Sequence, residues 1–178
     1  RLTEELERRK KAEEEHLRLV TAIEQSAEGV YLTDPDWVIQ YTNPAFERML
    51  GFAPGELIGV HTRYLKSGRH DRRFYQNIKD TLVRGEVWKG RAINRRKDGT
   101  FLHVEATMTP VRDGSGRMIN YVSIHRDITE QIEAEEERKD LQVRLQRAEK
   151  MEALGTLAGG VAHDLNNVIG VLVGYSEL

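Results

Sequence analysis

The chain has 178 residues (20.5 kDa), enough for one ordinary domain with helical appendages and too few for two large domains. Its formal net charge is -2 with 31% charged residues, so no overall field would recruit nucleic acid or an anionic membrane surface, and neither partner is expected. Cysteine is absent, which excludes disulfides and thiolate metal sites and fits a cytoplasmic location.

No apolar run is long enough to predict a membrane helix, and no signal peptide is visible. The chain begins and ends inside predicted helices. We therefore expect a fragment of a longer protein, and the full-length protein could be membrane-anchored through another segment.

Residues 1–24 predict a charged amphipathic helix. They are rich in Glu, Arg and Lys, and their sparse apolar residues are Leu2, Leu6, Leu17, Val20 and Ile23. Such a narrow apolar stripe is typical of a dimeric coiled coil or of a helix that packs on the following domain.

Residues 25–129 predict a single α+β domain. The predicted elements are strands 29–33 and 37–41, a helix 45–50 with Asn43 as N-cap and Pro44 at its start, a helical turn 54–59, a helix 71–84, and strands 87–95, 101–109 and 118–126. Two strands, several short helices and a three-stranded meander predict one five-stranded antiparallel sheet. Apolar and polar residues alternate along strand 101–109, so one face of the sheet is expected to be core.

Several short sequence motifs occur within and between these elements. They are Tyr41-Thr42-Asn43-Pro44-Ala45-Phe46, Trp88-Lys89-Gly90, Asn94-Arg95-Arg96-Lys97-Asp98-Gly99 and Arg126-Asp127-Ile128-Thr129. Together they resemble a PAS domain over about residues 24–129. The resemblance implies sensing by protein contact, or by a ligand or cofactor held between the sheet and the short helices, and it leaves the ligand unknown.

The histidines of this domain are its candidate cofactor ligands. A flavin–cysteine adduct is excluded because the sequence has no cysteine. Haem would need an axial histidine, and His70 is the one near the place where haem-binding PAS domains carry theirs, although a histidine before a helix is more often a surface or capping residue. His61, His103 and His125 are predicted to be packing residues without metal-ligand spacing, so no metal site is expected.

The segment Asp127-Ile128-Thr129 closes the predicted sheet and begins the exit helix. The resemblance implies that it joins the sheet to a signalling helix. Asp127 is expected to pair with a cation such as Arg126 or Lys89, and Thr129 is expected to cap the helix.

Residues 130–150 predict a coiled-coil linker. Its apolar seam is Ile132, Leu141, Leu145 and Ala148, and it continues to Met151 and Leu154. From Leu141 the steps are four, three, three and three residues, so one residue is missing from the regular alternation. Such a discontinuity overwinds a coiled coil locally and brings two registers close in energy. We interpret it as the switch that alters access to the next segment.

Residues 151–178 predict one further helix. Its apolar residues recur at steps of three and four, and in that frame His163 occupies the position furthest from the seam. His163 is therefore expected to face solvent, with Asn167 on the same face and Asp164 beside it. An exposed neutral imidazole is a nucleophile near pH 7, and a carboxylate on its other N–H would strengthen it. The pattern favours attack on a phosphoryl group.

The segment Met151–Asn167, which includes His163-Asp164-Leu165-Asn166-Asn167, looks like the phosphoacceptor box of sensor histidine kinases. That box lies in the first helix of their dimerisation and phosphotransfer domain. Leu165 stands where the related pattern has Phe, and it keeps the seam apolar. The resemblance implies that His163 accepts phosphoryl, Asp164 orients or deprotonates the imidazole, and Asn167 positions a water or the transferring group.

The two resemblances together imply a sensor histidine kinase of a two-component system. The implied partners are a second copy of the chain, joined through the coiled-coil helices, and the receiver domain of a response regulator. ATP and Mg would be substrates of a catalytic domain that the 178 residues do not include. Two alternatives remain open, a non-enzymatic PAS module for ligand binding or dimerisation and a haem-based gas sensor.

Overall fold

The computed structural model describes the backbone of residues 2–175 and the side chains of residues 5–151 and 154. The chain divides into two units, Arg1–Glu130 and Gln131–Leu178. In the described part of the chain, no helix combines the length and the apolar character that crossing a membrane requires.

The elements follow one another in the predicted order. They are helix α1 (Leu2–Glu24), strands β1 (Gly29–Thr33) and β2 (Ile39–Thr42), helix α2 (Pro44–Leu50), a short 3-10 helix (Thr62–Leu65), helix α3 (Arg72–Val83), strands β3 (Trp88–Arg95), β4 (Phe101–Arg112) and β5 (Met118–Asp127), and helix α4 (Thr129–Tyr175). The predicted terminal helices are present over Leu2–Glu24 and Thr129–Tyr175, and residues 1 and 176–178 lie outside the described residues. The pairing of these helices into coiled coils stays a prediction.

The five strands form one antiparallel sheet in the order β2-β1-β5-β4-β3. The first hairpin therefore joins the meander through the pairing of β1 with β5. Along β4, Leu102, Val104 and Ala106 are buried at alternate positions, which confirms the predicted core face. The predicted α+β fold is confirmed, with the short helices packed on one side of the sheet.

Strand β2 begins two residues later than predicted because Trp37 does not adopt an extended conformation. Its φ angle is 67°, in the left-handed region that large side chains rarely occupy. The Asp34 carboxylate holds this turn by accepting hydrogen bonds from the backbone N–H groups of Asp36 and Val38. The strand can start only where the chain leaves the turn, at Ile39.

The helical turn predicted at 54–59 is instead a series of separate turns. Successive i to i+3 hydrogen bonds start at the carbonyls of Ala53, Gly55 and Leu57. Gly55 and Gly59 have φ angles of 75° and 80°, and such left-handed residues interrupt a helix. The 3-10 helix that follows was not predicted from the sequence.

The side chain of Asn43 joins α1, β1 and α2. Its Oδ1 accepts from the N–H of Phe46 at 3.0 Å, as an N-cap does, and from the N–H of Val30 at 2.8 Å. Its Nδ2 donates to the carbonyls of Ile23 at 2.9 Å and Glu28 at 3.0 Å. The amide is fully buried and bonds four backbone groups, of which the N–H of Phe46 also donates to the carbonyl of Asn43 and the carbonyl of Ile23 also accepts from the N–H of Ser26.

Replacement of Asn43 should therefore destabilise the domain strongly. We expect Asn43→Ala to lower the free energy of unfolding by about 3 kcal/mol or more, since each buried backbone group left without a partner costs about 1–3 kcal/mol. Asn43→Asp should also destabilise, because its carboxylate would face two carbonyl oxygens. Urea unfolding measures both changes. Asn120→Ala is the matched control, since that amide also donates twice but is only half-buried. Equal losses for Asn43→Ala and Asn120→Ala would contradict the prediction.

Candidate functional site

A cavity of about 370 Å³ lies between the core face of the sheet and α3. Its walls include the aromatic side chains of Tyr31, Trp37, Phe74 and Tyr75. Pockets of this size and apolar character, with a few polar groups among the walls, are the usual form of small-molecule sites in proteins. The cavity is therefore the candidate sensing site of the first unit.

Trp37 reaches this cavity because of its left-handed backbone. Its indole stacks on Tyr121, with ring centroids 4.5 Å apart and an interplanar angle of 12°. A strained residue at a binding cavity indicates a conformation that the surrounding contacts impose. Sequence reasoning missed Trp37 because an apolar residue beside Val38 and Ile39 reads as the start of a strand.

His125 forms the centre of a buried polar cluster in the cavity wall. Its Nδ1 lies 3.4 Å from Asn94 Nδ2, and its Nε2 lies 2.9 Å from Ser123 Oγ. Since an amide nitrogen can only donate, Nδ1 accepts and Nε2 carries the proton. Burial lowers the pKa of His125 to about 4, so the ring is neutral at pH 7. The prediction that His125 is a packing residue is confirmed, and it also lines the cavity.

His70, the candidate haem ligand, is held against the edge of the domain core. Its Nε2 accepts a hydrogen bond from the N–H of Ile93 at 2.8 Å, and its ring stacks on Phe74 at 3.9 Å. The lone pair of Nε2 is thereby used, and in the neutral ring Nδ1 carries the proton. Neither nitrogen offers a lone pair to an iron atom, so this arrangement does not fit axial ligation.

The two other histidines of residues 25–129 have different roles. His61 caps the 3-10 helix, because its Nδ1 accepts from the N–H of Arg63 at 3.0 Å, and it also lines the cavity. His103 is half-buried on β4, and its backbone joins the sheet to the start of α4. Among the residues whose side chains the structure describes, no group of three His, Cys, Asp or Glu residues could hold a metal ion.

Asp127 pairs with a cation that sequence reasoning did not select. Its Oδ2 lies 3.5 Å from Arg96 Nη2, whereas Arg126 and Lys89 were expected. Arg126 is the adjacent residue of β5 and projects from the opposite face of the strand. In the sheet, the residue across from Asp127 on β4 is Val104. The observed partner, Arg96, directly follows β3 and is brought to this position by the tertiary fold.

Thr129 is the first residue of α4 and does not cap the helix as predicted. Its hydroxyl oxygen accepts from the N–H of His103 at 3.1 Å, which ties the helix start to β4. The Asp127 carboxylate instead accepts from the N–H of Thr129 at 2.8 Å. Asp127 thus serves both the helix start and Arg96.

The predicted phosphoacceptor residues His163, Asp164 and Asn167 lie on α4, whose backbone is helical to Tyr175. Their side chains lie outside the residues whose side chains the structure describes. The solvent-facing position of His163 and the roles of its two neighbours stay predictions.

The neutral state of His125 predicts a dependence of stability on pH. The pKa of a free histidine, about 6.5, falls to about 4 in the fold, so the unfolded chain binds a proton more readily between these values. The free energy of unfolding should fall as pH drops from 6.5 to about 4, by roughly 3 kcal/mol from this residue. Urea unfolding across this range measures the slope.

The variant His125→Gln should flatten that slope, even if its stability at pH 7 is lower. His61 and His70 leave a residual slope, because burial also lowers the pKa of each ring. His16→Gln, an exposed histidine of α1, is the control and should keep the full slope. An unchanged slope in His125→Gln would show that the fold does not lower the pKa of His125.

Comparison with known proteins places this fold in a family. A family profile described as PAS domain matches residues 27–130, more than half of the chain. The nitrogen fixation regulatory protein of Klebsiella oxytoca is 36% identical over 109 residues, which are 61% of this chain and 22% of that protein. The hybrid signal transduction histidine kinase L of Dictyostelium discoideum is 30% identical over 154 residues, 86% of this chain and 9% of that protein.

The solved structure of an RNA-binding light-oxygen-voltage receptor matches with a TM-score of 0.61 at 30% identity, and covers 70% of this chain and 36% of that one. This chain spans less than a quarter of the length of the two curated relatives. The five-stranded sheet, the cavity beside α3 and the match over residues 27–130 agree: the chain belongs to the PAS domain family.

Proposed function

We propose that this chain is the sensing and phosphoaccepting part of a two-component sensor histidine kinase. The observation that carries the proposal is that the last strand of the PAS domain leads directly into α4, and the sequence of α4 contains the phosphoacceptor box. A relative named as a hybrid signal transduction histidine kinase, aligned over 86% of this chain, supports it. The PAS domain would respond to a ligand and control the phosphorylation of His163.

The chemistry follows from the residue types in the box. A nitrogen of the His163 imidazole attacks the γ-phosphorus of ATP, the new N–P bond forms, and the bond to the bridging oxygen breaks so that ADP leaves. Asp164 accepts the proton from the other ring nitrogen, or orients it, and Asn167 positions the transferring group. The phosphoryl group then passes to an aspartate of a response regulator. ATP and Mg would be bound by a catalytic domain outside these 178 residues.

The exposed seam of α4 supports a dimer. Its apolar residues Leu141, Leu145, Met151 and Leu154 are 57%, 60%, 71% and 61% exposed in the single chain. Apolar residues at coiled-coil spacing are buried when a second helix packs on them. In α1, Leu6 and Leu17 are exposed by 60% and 66%. We infer a homodimer through these helices.

A regulator without kinase activity is the second candidate function. It is favoured by the sequence identity of 36% over 109 residues to a protein named only as a nitrogen fixation regulatory protein. In that case the PAS domain would bind a ligand or a partner, and α4 would serve as an interaction surface. The third reading, a haem-based gas sensor, is weakened because His70 already accepts the N–H of Ile93.

Phosphorylation of His163 tests the proposal directly. The chain is mixed with the isolated ATP-binding domain of a histidine kinase, Mg and γ-labelled ATP, and the label on the chain is measured before and after acid treatment. We expect acid-labile label, because a phosphoryl group on an imidazole nitrogen hydrolyses in acid. His163→Gln should abolish it, and Asp164→Asn should slow it by about 100-fold or more, the usual range for general acid–base catalysis.

The matched control is His16→Gln, the same substitution at another helical histidine. It should leave the label unchanged, since His16 lies in α1 and outside the box. Each ATP-binding domain should first be shown to phosphorylate the helix of its own kinase under the same conditions. If the wild-type chain then carries no label, the result would favour the non-enzymatic regulator.

The missing residue in the seam gives a second test. One Ala inserted after Ala148 changes the steps from Leu141 to a regular alternation of four and three. The coiled coil should then melt at a higher temperature, and the rate of His163 labelling should change several-fold because one register is favoured. Insertion of seven residues keeps the discontinuity and is the control. A labelling rate equal to wild type after the single insertion would argue against this switch.

A further inference from the structure

The rim of the cavity carries three positive charges. Lys66 follows the 3-10 helix, Arg72 and Lys79 project from α3, and all three line the cavity while they remain exposed. No residue that lines this cavity is acidic. A concave site whose charges have one sign concentrates ligands of the opposite sign.

The sequence of α3 explains this distribution. Arg72, Gln76 and Lys79 are spaced by four and three residues, so they share one side of the helix, at the border of its apolar stripe. The two acidic residues near these cations do not line the cavity. Asp71 caps the first turn of α3, and Asp80 accepts a hydrogen bond from Gln76 at 2.7 Å. The charges that line the cavity from this helix are therefore positive.

The three cations have no ionic partner in the part of the chain whose side chains are described. Lys66 places its Nζ 3.9 Å from the centroid of the Tyr75 ring. Aromatic rings and guanidinium or ammonium groups side by side suit a ligand with a flat body and one anionic group. The aromatic walls would contact the body, and the rim would contact the charge.

We propose that the cavity binds a small organic anion whose aromatic or apolar body lies against Trp37 and Tyr75 and whose carboxylate is attracted to the positive rim formed by Lys66, Arg72 and Lys79. The inference rests on the proposed sensory function of the PAS domain and names the ligand chemistry that this function leaves open. Because the cations are exposed, the attraction weakens as salt concentration rises.

The probes are 2-naphthoate and its neutral isostere 2-naphthamide. Both have the same flat body, so their difference in affinity isolates the charge. Calorimetric titration of the whole chain in low salt measures each Kd, and quenching of tryptophan fluorescence reports entry near Trp37. We expect 2-naphthoate to bind at least about tenfold more tightly than 2-naphthamide. High salt should reduce the ratio of the two affinities, 2-naphthoate to 2-naphthamide.

Adjacent arginines provide the matched variants. Arg72→Gln should weaken the binding of 2-naphthoate and leave the affinity for 2-naphthamide unchanged, so the ratio of the two affinities falls. Lys79→Gln should have the same effect. Arg73→Gln removes the same charge from a residue that does not line the cavity, so the ratio should stay as in wild type. Equal affinities for the two probes, no saturable binding of either, or equal effects of Arg72→Gln and Arg73→Gln would overturn the proposal.

The result of the binding test can be distinguished from the result of the His163 labelling test. The variant His163→Gln should bind 2-naphthoate as wild type does. If His163 is phosphorylated but the probes do not discriminate, only the ligand class is wrong. If 2-naphthoate binds selectively but no label reaches His163, the ligand class stands and the kinase proposal falls.

Discussion

One buried amide holds the end of α1 against two elements of the PAS domain. Asn43 has no exposed surface, and its side chain satisfies backbone groups from the end of α1, from β1 and from the start of α2. Helix α2 can lie this close to β1 because Gly29 has no side chain; a Cβ there would lie 3.0 Å from the Cα of Phe46. Phe46 is thereby placed 4.7 Å from Tyr31 and 5.5 Å from His125, and the latter two rings line the cavity. The shape of the cavity thus depends on a polar contact outside it.

Arg96 plays the corresponding part at the other end of α2. Its guanidinium donates to the carbonyl of Met49 in α2 at 2.9 Å and to that of Phe101 in β4 at 2.7 Å, and it pairs with Asp127. The side chains of Arg96 and Asp127 are 25% and 35% exposed, so water screens this pair less than an ion pair on the surface. Helix α2 and Asp127, the last residue of β5, therefore contact the same guanidinium. The carboxylate of Asp127 also accepts from the N–H of Thr129, so a short series of polar contacts joins α2 to the first residue of α4.

Signals between neighbouring residues made most of the fold predictable. The N-cap at Asn43 and the alternation along strand 101–109 are read directly from the sequence, because caps and strand faces depend on residues a few positions apart. The left-handed Trp37 was missed because a turn imposes it against its own preference. The pairing of Asp127 with Arg96 was missed because 31 residues separate them in sequence and only the sheet brings them together. The spacing of Arg72 and Lys79 in the sequence could have shown that they share one side of α3. The cavity that they line is formed by tertiary structure, so the sequence did not show it.

A sensor of this kind works only if its output helix is not held rigidly in one state. A ligand whose affinity for two states differs tenfold shifts their balance by about 1.4 kcal/mol, so the gap between the states must be of that size for the response to be useful. The proposed switch in α4 rests on the steps around Ala148, which would disfavour a single continuous register if the helix forms the predicted coiled coil. Glycines at positions 155, 159 and 160 each lower helix stability by about 1 kcal/mol relative to alanine, so this part of the sequence does not maximise the stability of the helix.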